Sequence, residues 1–343
     1  MPRATEKLRK TTLSDVAIAA GVSVTTVDRV INSRGRVQPA KELRVLELAR
    51  TLKLDRALDL RPARLLRFAV IMQAPSNPFF ESLKAAIARA NQLFFASSIQ
   101  CGIHYADVLR PTSTVKLIRS VAAANAAIII VYPENKEVSS ALLEISRAIP
   151  IVTLVSDLPH SGRVAYVGLD NRSAGRVAGE LMARFIGPNG GDIVVVSGLH
   201  SYIGHEEREM GFRSVLRERH PKCRVVAVLE SREQKETAGE LVGEVLRTRP
   251  EIAGIYNVSA GNRAIAATLR KAGRVGRTVF ITHELTAERR ALLKEGILDA
   301  IIDQNPEIEV MTAVETLAHH FGRRDTPPLT NTTPLDILVR ESV

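Results

Sequence analysis

The chain has 343 residues, 45% of them apolar and 24% charged, with a formal net charge of +10. That is enough length for two or three domains with sizeable buried cores. No run approaches the roughly 18 consecutive apolar residues of a membrane-spanning helix, and no apolar stretch follows the basic start, so neither a membrane segment nor a secretory signal is expected.

The charge is unevenly placed. Residues 1–67 carry 15 Lys and Arg against 7 Asp and Glu, whereas the other 276 residues carry 32 against 30. A local excess of this size is either an electrostatic footprint for a polyanion or a solvated basic arm. The two cysteines, Cys101 and Cys223, lack metal-ligand spacing and read as reduced thiols of a cytoplasmic protein.

Taken in chain order, residues 1–10 read as a basic arm. Two short helical patterns follow in "LSDVAIAAGVSVTTVDRVIN" (13–32). In the first, Val16 and Ala20 lie one turn apart, with Leu13 and Ala17 alongside. Gly21 stops that helix by adopting the left-handed conformation. Ser23 is a favourable N-cap for the second. There Val27, Val30 and Ile31 point inward, while Thr25, Arg29 and Asn32 share the opposite face at i, i+4 and i+7. A third helix, "AKELRVLELARTL" (40–52), completes a small core and leaves the polar face of the second helix uncovered. A small-residue turn, an N-cap, a cluster of hydroxyls and local positive charge together predict a DNA-binding helix-turn-helix rather than a plain helical hairpin.

"DRALDLRPARLLR" (55–67) is charged and interrupted by Pro62, and reads as a linker. From residue 68 apolar runs alternate with helical patterns. The runs "FAVIM" (68–72), "AAIIIVY" (126–132), "PIVTLV" (150–155), "DIVVVSG" (192–198), "RVVAVLE" (224–230), "AGIYNV" (253–258) and "TVFIT" (278–282) are continuous, as strands buried on both faces should be. Helical patterns lie between most of them, at 78–94, 113–125, 172–187, 206–219 and 262–273. The alternation predicts an α/β core of two doubly wound parallel-sheet subdomains, joined at 166–176 and again at 298–307. The expected division is a headpiece at 1–54, a linker at 55–67 and a core at 68–343. Within the core, one subdomain takes about 68–167 and 299–326, the other about 168–298 and 327–343. Ligands of such sheets bind beyond the strands' carboxyl ends, so two facing sheets share one cleft.

The segment "TLSDVAIAAGVSVTTVDRVIN" resembles the headpiece of the LacI/GalR family of bacterial transcription regulators, and "GRVQPAKELRVLELARTL" and "LVRES" (338–342) extend the resemblance. "SNPFF" (76–80), "GLDN" (168–171) and "REMGF" (208–212) match recurring elements of the family's periplasmic-binding-protein type I-like core. The resemblance implies that Val24, Thr25 and Arg29 reach base edges, Arg29 suiting guanine as a bidentate donor. It implies that Thr12, Ser23, Thr26 and Asn32 hold phosphates. Asp28 stands where the family usually has Ser, and either reads a cytosine amino group or is held off by Arg29 or a neighbouring base. The family's hinge helix wedges a Leu into the minor groove. Here Asp59 and Pro62 intrude on that stretch, leaving Leu60 and Leu65 as the two candidates.

For the cleft, Phe79 and Phe80 follow Pro78 at a helix start, and Asp157, Asn257, Glu284 and Gln304 fall at strand ends. Arg208 begins a helix beyond "VVVSG". These seven are the expected effector-binding residues. Val258 and Glu284 stand where the family commonly has Asp. His200, His205 and His283 also fall near the cleft without ligand spacing, and read as polar lining rather than a metal site. "GPNGG" (187–191) precedes a strand and reads as a turn, not a nucleotide cradle. No catalytic set, metal or cofactor is expected. The expected partners are double-stranded operator DNA, a sugar, polyol or derivative, and a second copy of the chain, since the C-terminus adds no heptad for a four-chain bundle. The competing readings are a small-molecule receptor or an enzyme on the same core.

Overall fold

In the computed structural model the described residues are 11–32, 34, 37–52, 54, 65–74, 78–198 and 202–343. Asp59, Leu60 and Pro62 of the linker and His200 lie outside them. Leu65 lies within them and is exposed.

Three helices form the N-terminal unit: α1 (Leu13–Ala20), α2 (Val24–Ile31) and α3 (Pro39–Thr51). Thr12 caps α1 in a reciprocal pair with Asp15, and Gly21 ends that helix at φ 67°. Ser23 caps α2 by accepting from the Thr26 amide at 3.2 Å. Val16, Ala17, Ala20, Val27, Val30, Val45, Leu46 and Ala49 make the buried core of the three helices.

Two sheets follow. The first contains β1 (Leu66–Gln73), β2 (Ile99–Ala106), β3 (Ala127–Ile130), β4 (Ile151–Leu154) and β5 (Ala165–Val167), all parallel, in the order β2-β1-β3-β4-β5. Helices α4 (Pro78–Leu93), α5 (Pro111–Ala124) and α6 (Lys136–Ile145) cover its faces. The second contains β6 (Gly191–Ser197), β7 (Cys223–Glu230), β8 (Gly254–Asn257), β9 (Val279–His283), β10 (Ala300–Asp303) and β11 (Asp336–Leu338), in the order β11-β10-β9-β8-β6-β7. Its flanking helices are α7 (Asn171–Ile186), α8 (Ile203–Arg219), α9 (Lys235–Thr248), α10 (Asn262–Lys271) and α11 (Ala287–Lys294). Only β11 runs antiparallel, on β10.

Helix α12 (Pro306–His320) returns to the first sheet, where Val310, Ala313, Val314 and Leu317 join the core beneath Phe68 and Val70. The return starts later than residue 299. Ala300–Asp303 pairs with β9 in the second sheet, and the chain crosses at Gln304 and Asn305. The buried backbone amides and carbonyls of β10 find their partners in a parallel ladder with β9, so the strand completes before the crossing. "GPNGG" is a turn, with left-handed Gly187 and Gly190 ahead of β6.

Candidate functional site

Helix α2 presents the predicted outer face. Val24, Thr25, Arg29 and Asn32 are exposed, while Thr26 and Asp28 are half-buried. Thr26 shares a hydrogen bond with the Ser23 hydroxyl at 2.9 Å. Thr12 is engaged with Asp15, its hydroxyl donating at 2.7 Å. Asp28 is not held by Arg29. Its carboxylate accepts from Asn32 Nδ2 at 2.6 Å and from Arg34 at 3.1 Å. On a helix, residue 32 lies one turn beyond residue 28 on the same face, whereas residue 29 points about 100° away. Arg29 is exposed on the helix surface away from that pair.

Between the two sheets lies a cleft of about 380 Å³. Phe79, Phe80, Arg208 and Glu284 line it. The two rings sit at the start of α4 in an edge-on pair, centroids 5.8 Å apart. Each is also part of the first sheet's core. Arg208 is 3% exposed and lies in the second turn of α8. It donates to Asn171 Oδ1 at 2.8 Å and to Gln304 Oε1 at 3.0 Å, and pairs with Glu284 at 3.6 Å. Glu284 holds a left-handed backbone, φ 63°, and its carboxylate also accepts from Arg289 at 2.8 Å and Gln304 at 3.3 Å. Arg208 thus pairs across the cleft floor, not with the glutamates of its own helix.

Three expected cleft residues face elsewhere. Asp157 takes both prongs of Arg163 at 2.5 Å, with Thr153 donating at 2.8 Å, so its acceptors serve the loop after β4. Val155 and Ser156 line the cleft in its place. Asn257 is fully buried and braces its own loop, donating to Ser259, Ala260 and Asn262. Its successors Val258 and Ser259 take the cleft wall. Gln304 is fully buried behind Arg208 and Glu284, at the second crossing. The cleft is also lined by residues outside the expected seven, among them Gln73, Tyr202, Glu233 and Lys235. The end of the "FAVIM" strand pointed at Gln73. It is hydrogen-bonded to the Tyr202 hydroxyl, which links the two sheets across one end of the cleft.

His205 lines the cleft, with Nδ1 3.9 Å from Glu233. His283 is buried behind it, hydrogen-bonded to the Tyr256 hydroxyl at 2.6 Å. Burial, with Arg208 and Arg289 adding to it, holds the His283 imidazole neutral, well below the usual histidine range. Burial likewise raises the Glu233 carboxyl. Among the described residues no group of three or more His, Cys, Asp or Glu is arranged to hold a metal ion, and no helix is long and apolar enough to cross a membrane.

The cleft can clamp a small polar molecule between aromatic rings and charged hydrogen-bonding groups, and α2 can offer an exposed polar face to a groove. Comparison with known proteins gives both parts relatives. Residues 12–54 match the bacterial regulatory proteins of the lacI family, and residues 68–324 match the periplasmic binding protein domain. The HTH-type transcriptional regulator DegA of Bacillus subtilis is 31% identical over 265 residues, 75% of this chain and 76% of its own. The sucrose operon repressor of Pediococcus pentosaceus is 37% identical over 94 residues, 26% of this chain and 27% of its own. A solute binding protein of Burkholderia graminis, solved in complex with D-arabinose, shares the core's fold. Its TM-score is 0.74 at 23% identity, over 80% of this chain and 96% of that one. A helix-turn-helix headpiece joined to a two-sheet binding core is the arrangement these matches span, and the chain belongs to the lacI family of bacterial regulatory proteins, with a periplasmic binding protein domain as its core.

Proposed function

We propose that the protein is a cytoplasmic transcriptional repressor that grips a pseudo-palindromic operator as a homodimer and is controlled by a small sugar-like effector bound in the cleft. The observation that carries the DNA half is the outer face of α2. Thr25 and Arg29 are exposed beside Val24, while the opposite face of the same helix is buried against α1 and α3. A helix so held enters the major groove with its N-terminal residues against base edges. The roles assigned are base contacts by Val24, Thr25 and Arg29, and phosphate contacts by Thr12, Ser23, Thr26 and Asn32. A headpiece of this size reads a half-site, and two copies one helical turn apart read a whole one.

The cleft supports the effector half. Its size suits a monosaccharide or polyol, with Phe79 and Phe80 at one side and Arg208 and Glu284 at the floor. The sugar named with the Burkholderia structure and the operon named with the Pediococcus repressor point to the same class. Occupancy of a cleft lined by both sheets biases their relative orientation, and with it the spacing of two headpieces. A regulator rather than a turnover catalyst is the reading.

The test is selection of binding sites from random duplex DNA by the purified full-length protein, followed by titration of the selected site with sugars and polyols. Recovery of a two-fold symmetric site whose affinity changes with one of them is expected. Recovery of no sequence preference would overturn the regulator reading, and turnover of a sugar would replace it with an enzyme.

A further inference from the structure

The loop between β7 and α9 is built against the ordinary preferences of the backbone. Arg232 and Glu233 are consecutive non-glycine residues with φ of 52° and 60°. Left-handed backbone is unfavourable for an L-residue, because its Cβ crowds the following carbonyl oxygen, and strain of this kind persists where surrounding structure enforces it. Here the enforcement is visible. The Ser231 amide donates to Ser197 O at 2.8 Å, the Gln234 amide to Ser231 O at 2.9 Å, and the Ser231 hydroxyl to Ser197 O at 3.0 Å. The result turns the Glu233 side chain into the cleft.

The space it enters is kept clear by a glycine. A Cβ at Gly198 would lie 1.8 Å from Glu233 Oε1, so no larger residue fits there with the carboxylate in place. Ser259 donates its hydroxyl to the same oxygen at 3.0 Å, and the Ala260 amide also donates to this carboxylate, which leaves part of its acceptor capacity open. Glu284, the other carboxylate on the floor, is taken by Arg289, Arg208 and Gln304. Glu233 has no Arg or Lys within ion-pair distance among the described residues, and its nearest cation-forming neighbour is His205 at 3.9 Å. A carboxylate carries about four acceptor sites, so this one retains capacity for a ligand.

We infer that Glu233 is the specificity-determining residue of the cleft: it accepts a ligand hydroxyl and selects neutral polyols against their anionic derivatives. This rests on the reading of the cleft as an effector site. The charges around it set the sign. Arg208 and Lys235 line the cleft with Glu233, Glu236 and Glu284, and Arg289 stands behind Glu284. Among these described residues three cations face three carboxylates, so a neutral ligand leaves that balance intact. A sugar acid or sugar phosphate brings its charge against an acid already penalised by burial, and like charges in low dielectric repel strongly.

The experiment is a thermal-shift and calorimetric comparison on the full-length protein with matched pairs: D-galactose and D-galacturonate, D-glucose and D-gluconate, D-ribose and D-ribose 5-phosphate, D-arabinose and D-arabinonate. Wild type should be stabilised by at least one neutral member and bind its anionic partner at least tenfold more weakly. Glu233→Gln retains the Ser259 contact, because an amide oxygen accepts as the carboxylate does. It should weaken the neutral ligand about tenfold and narrow or reverse the discrimination. Ser259→Ala, which keeps the charge and loosens its anchor, should weaken binding while leaving the neutral preference. Equal binding of a matched pair by wild type, preference for the anionic members, or an unchanged profile in Glu233→Gln would each overturn the inference. If no member stabilises wild type while the selected operator still binds, the sugar-effector reading fails, and the assignment of Glu233 fails with it.

Discussion

Arg208 Nε donates to Oδ1 of Asn171 across 2.8 Å, and this bond ties the floor of the cleft to the first crossing between the sheets. Asn171 opens α7, immediately beyond that crossing, and its Nδ2 donates to the Tyr166 hydroxyl of β5 at 3.2 Å. The same guanidinium reaches Gln304 at the second crossing. One buried side chain therefore touches two of the three connections between subdomains, the third being the segment that leads from α12 to β11. Asn171 belongs to the "GLDN" element, and its place in this network accounts for the amide, while Asp170 caps α7 through the Ser173 amide at 2.9 Å.

Arg208→Ala should abolish the thermal shift given by an effector. It should also cost about 3–5 kcal/mol of stability in the core, because Glu284 and Gln304 lose a buried charged partner. Asn171→Ala, which strands one donor, should cost about 1–3 kcal/mol. Denaturant titration of the two variants measures the difference. Costs under 1 kcal/mol for Arg208→Ala would show that the buried network contributes nothing. Operator affinity should stay within a few-fold, since the headpiece has its own core.

Arg29→Ala should cost about 1–3 kcal/mol at the selected operator and relax preference at one base position in each half-site. Competition against single-base operator variants reads this out. Uniform weakening across all variants would make Arg29 a phosphate contact. If about six phosphates are neutralised, log K of the wild type should fall with a slope of roughly −5 in log salt. A flat dependence contradicts docking through the basic headpiece.

Asp28 is fastened to Asn32 and Arg34, so its charge is fixed beside the groove-facing surface. Asp28→Ser removes that charge and releases Arg34 toward phosphate. Tighter binding to every sequence is the expected outcome, measured on operator and on random duplex together. Loss of preference at a single cytosine, with no general tightening, would show instead that the carboxylate reads a base.

Much of this architecture is legible in the sequence because its central strands are buried on both faces. β1, β3, β4, β6, β8 and β9 are uninterrupted apolar runs. β2, reading "IQCGIHYA", escapes because it is an edge strand whose residues alternate between buried and exposed. β11 is three largely exposed residues and carries no pattern. At the cleft, position at a strand end is legible but direction is not. Successive side chains on extended backbone point oppositely, so an offset of one residue exchanges wall for interior. That offset separates Asp157 from Ser156 and Asn257 from Val258. Glu233 comes from a loop whose left-handed turn leaves no trace in residue type, since neither Arg nor Glu signals it.

Glu309 supplies a pH-dependent test of the fold. It is fully buried on α12, and neither carboxylate oxygen has a hydrogen-bond partner among the described residues. Burial raises its carboxyl well above the usual range, opposed by Arg208 and reinforced by Glu284 and Asp303. In the folded state it therefore keeps its proton, whereas in the unfolded chain it loses it near pH 4.3. Below that pH both states are protonated and the group costs nothing through ionisation. As pH rises through the ordinary carboxyl range, only the unfolded state gains by releasing the proton, and stability falls until the folded-state pKa is passed. His283 acts in the opposite direction. Its depressed pKa lets only the unfolded state take up a proton, so stability is lost as pH falls below about 6.5. Glu309→Met conserves volume and removes the titration. It should raise the thermal transition of the core by several degrees at pH 7, with a gain that shrinks toward pH 4 because the ionisation penalty vanishes there. His283 remains in that variant, so its acid-side loss should persist. Scanning calorimetry from pH 4 to pH 8 separates the two, and a Glu309→Met gain independent of pH would mean that the carboxyl is ionised in the folded protein as readily as in the unfolded chain.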